Sequence, residues 1–268
     1  MRAVVQQSLM GAALLVFTLF TRSTGSTLPY LVPSQPQQHS QSSSTTDAED
    51  SRWFTQLASS DQEKRREAVM ELAHIEGSAA TAALLSAFAD RSPRVRAAAA
   101  AGIAERSDAP AVPGLAALLS KDKDAFVRKM AAYALGGFRG VERSAALIAA
   151  LKDKDAEVRG AAVVSLAVFA DAESVTPLTA ALSDKNAFVR AHAARALGVN
   201  GAAATQSVPA LKKLLMSHDD GEVRRRAATA LGSIGDRSAL ATLELARRDK
   251  DPYLVQAAIE SIKMIEGK

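Results

Sequence analysis

Asp122-Lys-Asp-Ala-Phe-Val-Arg-Lys-Met-Ala-Ala-Tyr-Ala-Leu-Gly136 returns as Asp184-Lys-Asn-Ala-Phe-Val-Arg-Ala-His-Ala-Ala-Arg-Ala-Leu-Gly198. Working outward from its Val-Arg pair, the same place is held by Lys64-Arg65, Val95-Arg96, Val127-Arg128, Val158-Arg159, Val189-Arg190, Val223-Arg224 and, degraded, Leu254-Val255. Those positions are 31, 32, 31, 31, 34 and 31 residues apart. A fixed period in this range is the signature of stacked supersecondary units. The expected fold is therefore all-α, an α-solenoid of about seven helical hairpins filling residues 51–268.

The chemistry of the phrase dictates its shape. With the Arg as position zero, the apolar residues at minus one, plus three and plus seven, Val127, Ala131 and Leu135, share one helical face. Three residues before the Val stands a capping residue, Asp61, Ser92, Asp124, Asp155, Asn186, Asp220 or Asp251, able to accept orphan amide hydrogens of the first turn. Gly102, Gly136, Gly198 and Gly232 suit a left-handed cap or a close helix contact. A first helix precedes each phrase, as in Ala111–Leu119, Ser144–Leu151 and Val208–Leu215, with Pro113, Pro177 and Pro209 in the first turn, where a missing amide costs nothing. No single hairpin can bury its apolar stripe, so the units need their neighbours.

Composition agrees with a thin, close-packed core: 48% of the 268 residues are hydrophobic but only 4% aromatic, and Ala buries little area at roughly 25 cal/mol per Å². The net charge of +4 is too diffuse for a dedicated nucleic-acid binder. With no Cys, disulfides, thiolate metal sites and Cys nucleophiles are excluded.

Arg2, the apolar run Leu9–Phe20 and the small residues Ser23–Ser26 read as an export signal or membrane anchor over residues 1–25, with export out of the cytoplasm expected. The central run of about 12 residues is short against the roughly 20 of a membrane span, and the cleavage site is weak. Residues 26–50, rich in Ser, Gln and Pro, are expected to be a disordered tether with a reach on the order of 30 Å.

The phrase Asp-x-Asp-x-x-Val-Arg-x-x-Ala-Ala-x-Ala-Leu-Gly, preceded by Pro-x-Leu-x-x-Leu-Leu, resembles HEAT repeats of the short type named after phycobilisome lyases, over about four fifths of the chain. The resemblance implies a HEAT/armadillo-like superhelix. It also implies a structural ladder between adjacent units, built from an Asp and an Arg six residues later: Asp90 and Arg96, Asp122 and Arg128, Asp153 and Arg159, Asp184 and Arg190. The pattern departs at the ends, where Ser59 precedes Arg65, His218 precedes Arg224 and Asp249 precedes Val255.

Some relatives of this type are enzymes. Deoxyhypusine hydroxylase holds two irons with His-Glu dipeptides; here none occurs, and His39, His74, His192 and His218 are scattered, so no metal and no cofactor is expected. A bilin lyase would need a groove with acid-base residues, a role in which His192, Tyr133 and Glu260 can be imagined, although lone residues of this kind on a helix are far more often surface or packing residues. No Walker motif, nucleophile elbow or dinucleotide fingerprint is present. What remains is a surface: the second helices line the concave side and expose positions plus one, plus two and plus five. These are Arg66 and Glu67, Lys129, Met130 and Tyr133, Val164, His192 and Arg195, Arg225, Arg226 and Thr229, then Gln256 and Glu260. Of these, Lys129, Tyr133, His192, Arg195, Arg225, Arg226 and Thr229 form the candidate binding face. The expectation is a monomeric, non-catalytic scaffold binding another protein, through an acidic segment, with a bilin-lyase-type enzyme or subunit as the alternative. Neither a specific nucleic acid nor a membrane beyond the N-terminal segment is expected as a partner.

Overall fold

The computed structural model describes residues 43–106, 110–217 and 220–267. The signal or anchor read at 1–25 and the tether up to residue 42 lie outside the described residues. Those described form seven hairpins in chain order: α1 (Ser43–Gln56) with α2 (Gln62–His74), α3 (Ser78–Ser86) with α4 (Pro93–Arg106), α5 (Ala111–Lys121) with α6 (Ala125–Leu135), and α7 (Val141–Ala150) with α8 (Ala156–Leu166). They continue as α9 (Val175–Ala181) with α10 (Ala187–Asn200), α11 (Val208–Leu215) with α12 (Gly221–Ile234), and α13 (Leu240–Ala246) with α14 (Pro252–Glu266). The fold is an all-α solenoid. No helix among the described residues is long and apolar enough to cross a membrane.

The second helix of each hairpin starts where its cap dictates. Asp124 Oδ1 accepts the amides of Phe126 and Val127 at 2.8 and 3.3 Å; Asp155 and Asn186 accept the corresponding two amides, and Asp61, Asp220 and Asp251 accept the first of them. Each cap contributes about 1 kcal/mol. The plus-three column, Ala68, Ala99, Ala131, Ala162, Ala193, Ala227 and Ala258, is fully buried. So, nearly or completely, is the plus-seven column of Leu72, Ile103, Leu135, Leu166, Leu197, Leu231 and Ile262. Small residues in the first column let the helices approach, while the branched ones in the second fill the space between units.

The glycines resolve into two uses. A Cβ on Gly102 would lie 2.7 Å from Ala73 Cβ, on Gly198 3.2 Å from Ala230 Cα and on Gly232 2.7 Å from Ser261 Cα, so these sit where successive second helices touch. Gly136, right-handed (φ −59°) at the end of α6, joins them, since its Cβ would lie 2.9 Å from Ser165 Oγ on α8, and the left-handed cap after α12 is Gly235.

Helix α1 corrects the expected end of the tether. It begins at Ser43, inside the Ser/Thr-rich stretch that extends to residue 50. Trp53, buried in the core with the Arg52 guanidinium 4.1 Å from its ring, anchors the far end of the helix. Once a turn is fixed by packing, each further residue adds a backbone bond at little cost, which carries the helix back through polar sequence.

For Arg65, Arg96, Arg128, Arg159 and Arg224 the ladder runs to the carboxylate of the following unit. Arg65, Arg96, Arg128 and Arg159 place Nε and Nη2 on both oxygens of Asp90, Asp122, Asp153 and Asp184, at 2.6 to 3.0 Å. The remaining Nη1 donates to the backbone carbonyl six residues upstream, that of Ser59, Asp90, Asp122 or Asp153. Because that acceptor is backbone, Ser59 serves as well as Asp, and the first unit carries a full rung. Arg224 reaches Asp249 at 2.5 Å, so the last pair of units is bridged too. Arg190 donates to the Asp184 carbonyl at 2.7 Å.

Candidate interaction surface

Successive second helices pack directly on one another, whereas first helices touch one another more sparsely and rest mainly on their own partners. The second helices thus form one continuous layer, at the roughly 8–10 Å spacing of packed helices, whose solvent side is the inner face expected of such a stack. Of the positions plus one, plus two and plus five, Ala97, Gly160, Ala161 and Ala191 are buried, Lys129, His192 and Arg225 are half-buried, and Tyr133, Arg195, Arg226 and Thr229 are exposed.

The cations chosen there from sequence are mostly satisfied within the chain. Lys129 Nζ meets Glu157 at 2.6 Å. Arg225 bonds Asp251 at 2.8 Å and Glu222 at 3.1 Å, Arg226 bonds Glu222 at 2.7 Å, and Arg66 bonds Glu63 at 2.8 Å. Thr229 Oγ1 donates to the Arg225 carbonyl. The basic lean of this face is thus largely cancelled by Glu157, Glu222 and Asp251. Arg195 is different: it is exposed and has no ion pair or hydrogen bond among the described residues.

A second register, missed in the sequence, links adjacent units. In three units the residue two before the Val-Arg arginine position leans on the plus-one residue of the preceding unit. Glu157 pairs with Lys129; the Phe188 ring lies over Gly160, whose added Cβ would come 3.1 Å from it; Tyr253 takes the Arg225 guanidinium 5.7 Å from its ring centre. In these three, a large ring meets a glycine, a carboxylate meets an ammonium and a ring meets a guanidinium. This column leaves Phe126, Phe188 and Tyr253 respectively 52%, 50% and 73% exposed, in alternate units. Reading the repeats column by column beyond the plus-one, plus-two and plus-five positions would have found them.

His192 is half-buried and stacks on Phe188 with ring centres 3.9 Å apart, its Nδ1 2.9 Å from the Phe188 carbonyl oxygen. Burial, aided by the charges of Arg195 and Arg226, holds its pKa below the ordinary histidine value. Tyr133, exposed on α6, is separated from His192 on α10 by the whole of α8, and Glu260 on α14 lies a further two helices away. Neighbours two helices apart stand roughly 20 Å apart, too far for the three to act on one bond. Among the described residues no group of three His, Asp or Glu side chains is placed to hold a metal ion.

The profile of HEAT repeats matches residues 51–136, 81–167, 144–205 and 199–263, spanning nearly the whole solenoid. The chain is a HEAT-repeat protein. Among solved structures, this HEAT-repeat protein resembles an engineered protein (TM-score 0.55, 23% identity, 83% of this chain and 69% of that one). It also resembles the Escherichia coli protein YibA (0.53, 18%, 86% and 99%). A third likeness is to a complex of CpcE and CpcF of phycocyanin lyase from a Nostoc species (0.50, 22%, 91% and 99%). At these identities the likeness is one of fold. No curated protein matches the sequence. A HEAT-repeat scaffold of this kind supports a role in protein interaction.

Proposed function

We propose that this HEAT-repeat protein is a non-catalytic, monomeric scaffold that binds a partner protein along its inner face, centred on α6, α8 and α10. One observation carries the reading: the rings of Phe126 and Tyr133 on α6 and of Phe188 on α10 are exposed, and α10 also carries Arg195, a cation without a carboxylate partner among the described residues. Aromatic and Arg side chains on a curved surface are the types that dominate interface energy. Arg195, rather than Lys129, Arg225 or Arg226, is the anchor for an acidic segment, because those three would have to exchange an existing ion pair for a new one.

The apolar run Leu9–Phe20 supports export as the setting in which the partner is met. The test is affinity capture of the full-length protein from its native envelope, comparing the wild type with Arg195→Glu and Phe188→Ala and sequencing the N-terminus of the recovered chain. The reading requires that the companion retained by the wild type be lost from both variants while helix content by circular dichroism is unchanged. Equal retention by all three would remove this face as the binding site, and an intact Met1 on soluble cytoplasmic protein would remove export.

A further inference from the structure

The loops after α6 and after α8 enclose a pocket of about 260 Å³ at the edge of the stack, away from the inner face. One loop supplies Arg139 and Gly140, the other Phe169 and Asp171, and the first turn of α7 supplies Val141 and Arg143. Arg143 is 2% exposed yet has no carboxylate within ion-pair distance among the described residues. Its Nε donates to the Leu135 carbonyl at 3.2 Å and its Nη2 to that of Ser165, both at helix C-termini, where a cation is favoured. Its Nη1 has only Ser144 Oγ, at 3.5 Å, the limit of a useful hydrogen bond.

Above it, the Arg139 guanidinium lies 4.0 Å from the Phe169 ring centre and forms no hydrogen bond or ion pair among the described residues. Stacking fixes the plane of that fork and leaves its donor edges unused. Between the two cations begins α7, preceded by Gly140 at φ +115° and with no side-chain cap on its first amides. Three separate features thus present unspent N–H donors to one small cavity.

We propose that this pocket binds an organic monocarboxylate, its charged group on Arg139, Arg143 and the start of α7, and its apolar part on Phe169 and the exposed Val141. Charge decides for a monoanion over a phosphate. Asp171 and Glu173, also in the wall, balance the two arginines, and the helix start adds only about half a positive charge. The residual field suits one negative charge and resists two.

The test is an ¹⁵N-NMR titration of the full-length protein with sodium butyrate, and separately with inorganic phosphate, at constant ionic strength. Butyrate is expected to give saturable shifts confined to the amides of residues 139–144 and 169–173. Arg139→Gln, at an exposed position, should leave the spectrum otherwise intact and weaken binding at least about tenfold, the value of charge-assisted bonds lost. The proposal is overturned if butyrate gives no saturable shift, if Arg139→Gln leaves affinity unchanged, or if phosphate binds more tightly than butyrate.

Discussion

Arg128 spans the boundary between its own hairpin and the next: Nε and Nη2 donate to the two oxygens of Asp153 at 2.8 and 2.9 Å, and Nη1 to the Asp122 carbonyl at 3.0 Å. Asp153 Oδ1 also accepts the amide of Asp155, the cap of α8. One rung therefore ties the turn of one unit to the start of the helix in the next. In a solenoid whose stability is a sum of local and neighbour terms, such a rung acts on the interface term.

Removing one partner of this largely buried pair leaves the other charge uncompensated. Arg128→Ala is expected to cost about 3 kcal/mol, seen as a lower urea midpoint with helix content intact before unfolding. Arg128→Lys, which lacks the fork, should recover only part of the loss. A cost below about 1 kcal/mol for the Ala variant would place this rung with surface ion pairs instead.

The same rungs set the acid sensitivity. The bond from Arg65 holds the Asp90 carboxyl below its ordinary range against the opposing effect of burial. At Asp122, Asp153 and Asp184 burial is the largest influence and raises the pKa, but the arginine and backbone donors outweigh it, so those carboxyls are lowered as well. A carboxylate lowered on folding contributes stability that is whole above the unfolded-chain pKa of about 3.9 and fades as pH falls through the native value. Urea midpoints should therefore be flat from neutrality to about pH 5 and fall steeply below about pH 4, with Asp90→Asn showing a shallower acid limb. Parallel acid limbs for wild type and variant would contradict this.

The period, the caps and the Asp and Arg columns were legible because each is fixed by position within the unit. Partnership across units was not. Arg65 looks unpartnered when judged against Ser59, its own upstream residue, because the side chain it grips belongs to the next hairpin. The pairing of the basic residues was hidden for a related reason: Glu157 meets Lys129 only through stacking. Glu222, by contrast, stands three and four residues before Arg225 and Arg226, a helix spacing that already announces both pairs. The beginning of α1 is set by where Trp53 packs, which no local propensity encodes.

Gly232 sits where α12 crosses α14, and its missing side chain is a packing requirement. Alanine is the better helix former by about 1 kcal/mol, but its Cβ would press within 2.7 Å of Ser261 Cα, a backbone atom that yields only by shifting a helix. Overpacking of this kind costs about 1–3 kcal/mol, so Gly232→Ala is expected to destabilise despite its propensity. A higher thermal midpoint for the variant would show that α14 can move away freely.

His192 separates burial from charge as causes of a lowered pKa. Burial is the larger, with Arg195 and Arg226 adding to it, while the Phe188 carbonyl and Glu222 act in the opposite sense. Phe188→Ala strips the stacked ring from the imidazole but keeps the carbonyl, and so removes the dominant cause alone. Arg195→Gln removes a charge on an exposed side chain, whose field is screened over about 8 Å at physiological ionic strength. Following the imidazole proton resonances with pH, both variants should raise the His192 pKa toward the ordinary value of about 6.5, Phe188→Ala by the larger amount. A larger rise in Arg195→Gln would make the cationic cluster, and not the aromatic cover, the feature that keeps this ring neutral on the inner face.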